Sequence, residues 1–415
     1  MWLIPAIFYL FAFYVRVSPA VMTSELMRDF QISAKSLGTL SALYFYAYVL
    51  MQIPTGVLVD SWGPRRLLLA GVVAAAAGTL LFGLTENFTL ACVARGVVGG
   101  ATAVGWVITL KIVTHWFPGR RFATMSGVSL FIGNVGALVA QVPLRLLIER
   151  FPWRAVTIAT AGVILAIGVI AFFGVRNDPM ELGYRSYAPA AFQKRNTDSL
   201  WTLLKGFKRI FGYRNTWLIF FAQGGFLGAV LSFTGLWGPP YLRARFGMAP
   251  TSAAAVCSVM IVCFAVASPF VGNVSDRLGR RKPIYVGGAA VCVIGWLVMF
   301  YLPLSLGPFV AASAITSFSA GAIILGFAFG KESVPQQYLG TVTGATNMGN
   351  MLGPTLLQPA IGWMLDKQWS GQTSNGLRVY SVSAYQSAFL LIVGWSILTV
   401  ILLSLTRETY CKQTV

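Results

Sequence analysis

Twelve long apolar stretches decide what this chain can fold into. They fall at roughly 2–22, 36–60, 67–86, 88–115, 122–147, 153–174, 215–241, 250–275, 284–304, 306–330, 339–365 and 384–405. About 20 apolar residues in helical form cross the hydrocarbon core of a bilayer. Lipid offers no partner to a bare N–H or C=O, so only helices and closed barrels span it. Barrel strands alternate over about ten residues, whereas these stretches are longer, continuously apolar and rich in Gly and Pro. The expectation is an all-α membrane protein of twelve transmembrane helices. Composition agrees, with 56% hydrophobic and 10% charged residues against about 25% charged in soluble domains. The first stretch begins almost at Met1 and runs straight on, so no cleaved signal peptide is expected.

The net charge of +19 follows topology. With both termini in the cytoplasm, nineteen of the 31 Lys and Arg residues fall inside, including those at 65–66, 120–121, 277–282 and 176–214, and nine fall outside. That bias obeys the positive-inside rule, so nucleic acid is not needed to explain the charge. A multi-pass protein of a bacterial inner membrane is expected. The five cysteines lack zinc spacing and lie in spans or near the C-terminus, so they read as small apolar residues. Neither a metal nor a cofactor is implied.

The chain repeats itself. GVLVDSWGPRR begins at Gly56 and GNVSDRLGRRK at Gly272, so Gly56, Asp60, Gly63, Arg65 and Arg66 map onto Gly272, Asp276, Gly279, Arg281 and Lys282 at an offset of 216. Pro118, Gly127, Gly136 and Gln141 map onto Pro335, Gly344, Gly353 and Gln358 at 217. Two blocks agreeing in spacing imply two pseudo-symmetric six-helix bundles, 1–175 and 215–415, joined by a soluble connection at 176–214. Within the connection, SLWTLLKGFKRIF (199–211) gathers Leu and Phe on one helical face and is expected to lie flat at the cytoplasmic interface as a tether. In each repeated loop the Asp can cap a helix or pair with a nearby Arg, the glycines permit the turn, and the basic residues meet anionic lipid headgroups. These are expected to be conformational latch residues.

The G-x-x-x-D-x-x-G-x-R-[RK] loop after the second and eighth spans resembles the signature loop of the major facilitator superfamily, and RGVVGGATA (95–103) resembles its fourth-helix Arg motif. The resemblance covers the whole chain. It implies a rocker-switch transporter whose bundles enclose a cavity open to one side at a time, with a monomer as the default state.

Three basic residues remain embedded: Arg16, Arg95 and, nearer the cytoplasmic end, Lys111 with His115 one turn beyond. An intramembrane charge must find water, a partner or a substrate. Arg16 has no counterpart in the second half, where the offset lands on Ser232. Such asymmetry suits a substrate site, and a guanidinium suits a carboxylate or phosphate. The alternative is that Arg16 snorkels or bonds a carbonyl freed near Pro19. Arg95, by its motif, is expected to be a hydrogen-bonding or coupling element. Lys111 is a further substrate candidate. Tyr44, Tyr48 and Gln52 form an i, i+4, i+8 stripe, offering neutral donors to an anion. In the eleventh span Asn347, Asn350 and Gln358 share a face. His115 and Glu332 are candidates for proton coupling, although both lie near the cytoplasmic end.

The stretches FYVRVSPAVM and KESVPQQYLGTVTGATNMGNMLGPTLLQPAIGWMLD look like the anion:cation symporters and the organophosphate:phosphate antiporters, whose first-helix Arg corresponds to Arg16. Organophosphate antiporters carry a second Arg on the seventh helix and a Lys in the second. This chain is uncharged from Gln223 to Pro240 and has Gln52 in place of the Lys. The departures favour a monoanion such as a carboxylate. The expected function is secondary active transport of a small organic anion, driven by a proton or solute gradient. The alternatives are proton-coupled export of lipophilic compounds and transport of amino acids or short peptides. No phosphate-cradling loop, ligand cluster or catalytic triad is recoverable, and an enzyme is not expected.

Overall fold

The computed structural model describes residues 1–118, 121–187, 206–374 and 377–414. The helices are α1 Leu3–Val21, α2 Ala34–Ser61, α3 Pro64–Leu84, α4 Phe88–Trp116, α5 Thr124–Arg150, α6 Trp153–Gly174, α7 Arg214–Phe246, α8 Pro250–Leu278, α9 Lys282–Tyr301, α10 Leu306–Glu332, α11 Leu339–Lys367 and α12 Val382–Ser404. Eleven are long and apolar enough to cross a membrane by length and composition. α11 has the length but not the hydropathy, because its buried face carries Thr346, Asn350, Thr355 and Gln358. Residues 199–205 of the expected tether, and Arg120, lie outside the described residues. Beyond them Phe207, Ile210 and Phe211 pack with Val334, Val342 and Ala345, which anchors the end of that segment in the second unit.

Several helices depart from a regular α-helical ladder. α1 is α-helical to Val17 and tightens to a 3₁₀ turn over Ser18–Val21. α7 contains two π-helical turns, Gly224–Gly228 and Phe233–Trp237, and α11 has Pro354 and Pro359 inside it. Such breaks in membrane helices are tolerated where neighbours satisfy the freed groups.

The chain divides into two compact units. The first holds Met1–Ser18 and Leu43–Thr202. In it α1 lies directly on α5, and an added methyl at Gly136 would overlap the Leu10 carbonyl oxygen.

The second unit holds Pro19–Ala42 and Leu203–Val415. It takes in the opening turns of α2, which fall within the segment expected for the first bundle, because those turns are bound to α11. The Asp366 carboxylate accepts from the Ala34 and Lys35 N–H groups at 3.2 and 2.9 Å and from the Tyr380 hydroxyl at 2.6 Å. Its core is aromatic: Phe233, Tyr241, Trp296, Phe300 and Phe389 lie together, with the Phe300 and Phe389 centroids 4.5 Å apart. α7 and α11 cross glycine on glycine, at Gly228 and Gly353.

Gly136→Ala is therefore expected to destabilise the protein by about 1–3 kcal/mol through overpacking. Gly127→Ala on the same helix, where nothing lies within 4 Å of the new methyl, should leave the melting temperature unchanged or slightly higher. Thermal unfolding of the two purified variants checks the contrast.

Candidate functional site

Pro19 has no N–H, so the Val15 carbonyl four residues earlier loses its helical donor. Arg95 of α4 supplies the replacement, its Nη1 donating to Val15 O at 2.7 Å, with the Ser18 hydroxyl adding a bond at 3.2 Å. The carbonyl that the sequence offered to Arg16 is thus taken by Arg95.

Arg16 does not snorkel: it is 3% exposed. Its guanidinium carbon lies 4.5 Å from the Phe13 ring centroid, 4.9 Å from Tyr48 and 5.7 Å from Tyr44. Each such contact contributes about 0.5–2 kcal/mol. Rings cover the faces of the guanidinium but do not accept its in-plane N–H groups. Nε and Nη2 are buried and have no hydrogen-bond partner. No carboxylate pairs with Arg16 among the described residues. These two donors lie along one edge of the guanidinium, the fork that matches both oxygens of a carboxylate. Tyr44 also lies under Arg95, 5.1 Å from its guanidinium carbon. One ring therefore serves two buried cations.

Tyr44 and Tyr48, two of the three stripe residues on α2, stack with centroids 6.2 Å apart. The Tyr44 hydroxyl is already engaged, bonding Ala12 O at 3.1 Å and Thr102 Oγ1 at 2.7 Å. Tyr44 contributes a ring to the site rather than the expected free donor. Gln52, two turns further on, is half-buried. Tyr9 and Phe13 were not singled out from sequence. Tyr9 packs on Phe13 at 4.9 Å and on Trp106 at 5.2 Å. Their i−7 and i−3 spacing from Arg16 was the available signal.

Lys111 is occupied: its Nζ pairs with Asp60 Oδ1 at 2.9 Å. Asp60 was expected to cap a helix or to pair with Arg; it takes a lysine because Arg65 instead donates to Phe172 O at 2.6 Å, its N–H bonding Asn177 at 2.9 Å. Arg66 is exposed, and Gly63 turns at φ 84°, a conformation that favours glycine. No atom lies within 4 Å of a methyl placed at Gly56. His115 Nδ1 meets Asp178 Oδ2 at 2.7 Å.

In the second unit the repeated loop is more heavily braced. Arg281 bonds Asp276 at 2.5 Å and Glu332 at 2.9 Å, and Glu332 also accepts from the Thr409 hydroxyl at 2.5 Å. Glu408 caps the Arg281 and Lys282 N–H groups, each at 3.0 Å, and Lys282 Nζ reaches Thr406 O at 2.9 Å. Gly279 turns at φ 63°, and a methyl placed at Gly272 would meet only the edge of Ile324, at 4.0 Å. Glu332 is thus held in a structural ion pair. On α11, Asn350 Oδ1 and Gln358 Oε1 are buried with no partner, Gln358 Nε2 bonds Leu231 O at 3.3 Å, and Asn347 is half-buried. No group of three or more His, Cys, Asp or Glu side chains able to hold a metal occurs among the described residues.

The family model of the Major Facilitator Superfamily matches residues 3–241 and 225–412, and the chain belongs to that family. The chain is 22% identical over 390 residues to a probable sulfoacetate transporter, SauU, of Cupriavidus necator, covering 87% of this chain and 86% of that protein. It is 24% identical over 418 residues to a probable galactarate/D-glucarate transporter, GudP, of Escherichia coli, covering 91% and 89%. Among solved structures, a bacterial homologue of the human lysosomal transporter Spinster superposes with a TM-score of 0.74 at 17% identity, covering 99% of this chain and 95% of that one. The nucleoside transporter NupG matches with a TM-score of 0.71 at 16% identity, covering 97% and 96%.

Burial pushes the Asp178 carboxyl up, but bonds from the Met180 N–H, His115 and Ser186 outweigh it and hold the group below its ordinary value of 3.8. A depressed carboxylate stabilises the fold above its unfolded value, and that stabilisation is lost as pH falls through the folded value. Asp178→Asn is therefore expected to lower the melting temperature at neutral pH and to flatten its decline below about pH 4; melting curves across pH check this.

Proposed function

We propose that the protein is a secondary active transporter for a small organic anion, most simply one presenting a carboxylate, and that Arg16 is its anion clamp. The observation carrying this reading is the buried, partnerless Nε/Nη2 edge of Arg16 in an aromatic box. A guanidinium in apolar surroundings costs about 2.5–3.5 kcal/mol even on insertion scales. An anion arriving in bidentate geometry relieves the part that the rings leave. The organic anions named for the relatives, sulfoacetate and galactarate or D-glucarate, support the substrate class. Transport proceeds by rocker-switch alternating access between a 1–175 bundle and a 215–415 bundle, with 176–214 as linker, and is driven by a proton or solute gradient. The protein works as a monomer in a bacterial inner membrane with both termini cytoplasmic, where Arg66 and its neighbours meet anionic headgroups.

The Arg16 box with Tyr44 and Tyr48 is the substrate side of the first bundle. Gln52 in the first bundle and Asn347, Asn350 and Gln358 in the second are assigned to substrate binding as well. Because Lys111, His115 and Glu332 each have a charged partner, their contribution is to conformational coupling.

A thermal-shift screen of the purified protein and Arg16→Ala against sulfoacetate, D-glucarate, monocarboxylates, hexose phosphates, amino acids and dipeptides tests this. A ligand at 100 times its Kd adds about 2.7 kcal/mol. One acid class should stabilise the native protein and not the variant. Equal stabilisation of both would remove Arg16 from the site.

A further inference from the structure

We infer that Arg95 is a positioning residue for Arg16, acting through the Val15 carbonyl that Pro19 strips of its donor. The inference rests on the reading of Arg16 as the anion clamp. Regular α-helical geometry in α1 ends at Val17, one residue beyond Arg16. The direction of the Arg16 side chain is therefore set by how the chain leaves the helix. Pro19 and three hydrogen bonds govern that exit, the weakest of them the Ser18 hydroxyl's bond to Val15 O at 3.2 Å. Pro19 forbids the Val15 C=O to N–H bond that would continue the helix. Arg95 Nη1 takes Val15 O from α4, and the Tyr44 hydroxyl reaches Ala12 O one turn back. The carbonyl of the residue preceding Arg16 is thereby tied to a guanidinium that is itself 3% exposed and cannot drift to water.

Tyr44 joins the two cations a second time, its ring lying 5.1 Å from Arg95 and 5.7 Å from Arg16. Arg95 thus fixes both the backbone beneath Arg16 and one wall of its box. A ligand role for Arg95 makes a different demand: its need would not depend on what stands at position 19. In the positioning role, giving residue 19 an N–H returns a donor to Val15 and makes Arg95 partly dispensable.

The test is a double-mutant cycle on the full-length protein, with Arg95→Met, Pro19→Ala and both together. It is read first as melting temperature without ligand, then as stabilisation by sulfoacetate and D-glucarate. Arg95→Met should lower the melting temperature sharply in the native background and much less in the Pro19→Ala background. It should weaken acid binding about tenfold or more, as losing a charged hydrogen bond does, and the double variant should recover most of that loss. Where Arg95→Met does not fold, Arg95→Lys, which keeps a donor, should show the same pattern at smaller amplitude. Equal loss of stability in both backgrounds overturns the inference. So does coupling in stability with no recovery of acid binding, which makes Arg95 a ligand or a purely structural group. If Arg16→Ala binds the acids as well as the native protein, the anion-clamp reading fails instead, while the ligand-free cycle still decides whether Pro19 and Arg95 share Val15.

Discussion

In hydrocarbon every polar group must find its partner inside the protein, and in the first unit that requirement falls on two guanidiniums with no carboxylate beside them. Arg95 meets it in part by capping a carbonyl that a proline has orphaned, while its own Nε and Nη2 stay buried without a partner. Arg16 meets it with aromatic faces, leaving one edge unserved. Rings stabilise a cation without directing it, so they hold Arg16 in place and leave its in-plane donors open. An acid at the same place would neutralise the charge and occupy that open edge.

Duplication accounts for the repeated loops, and Arg16 is where the two halves diverge. The two signature loops keep their glycines, acid and basic pair at one offset, yet they are wired differently. The first relies on a lysine from α4, whereas the second is tied through Glu332, Thr409 and Glu408 to the segment after α12. Arg16 has no copy: Ser232, at the repeat position, lies between the two π-helical turns of α7. The half without the charge has backbone irregularity where the other has a cation.

The spans, the repeat and the singularity of Arg16 were legible because hydropathy, glycine spacing and charge are properties of the linear chain. The reassignment of Val15 O was half legible. Pro19 announces a freed carbonyl, but only packing decides that Arg95, eighty residues away, reaches it before Arg16 does. The Tyr44 hydroxyl was misjudged for a related reason: a stripe shows which face a group shares, not whether Ala12 and Thr102 already bind it. The polar face of α11 lowered its hydropathy without altering its length, so the segment counted as a span from sequence and falls short by composition alone.

The crossing of α7 and α11 has a mechanical meaning. Gly228 rests on Gly353 with no side chain between them, α7 is π-helical there, and Pro354 follows Gly353 on the other helix. Interlocked side chains make most helix pairs behave as gears that must disengage before they slip. A glycine-on-glycine contact has no teeth. Both rods are also notched where they touch, since a π turn and a proline each remove regular backbone bonds. The second unit therefore joins two unlike contacts along one helix, a toothless glycine crossing at Gly228 and, within two turns of it, the interlocked aromatic core to which α7 contributes Phe233 and Tyr241.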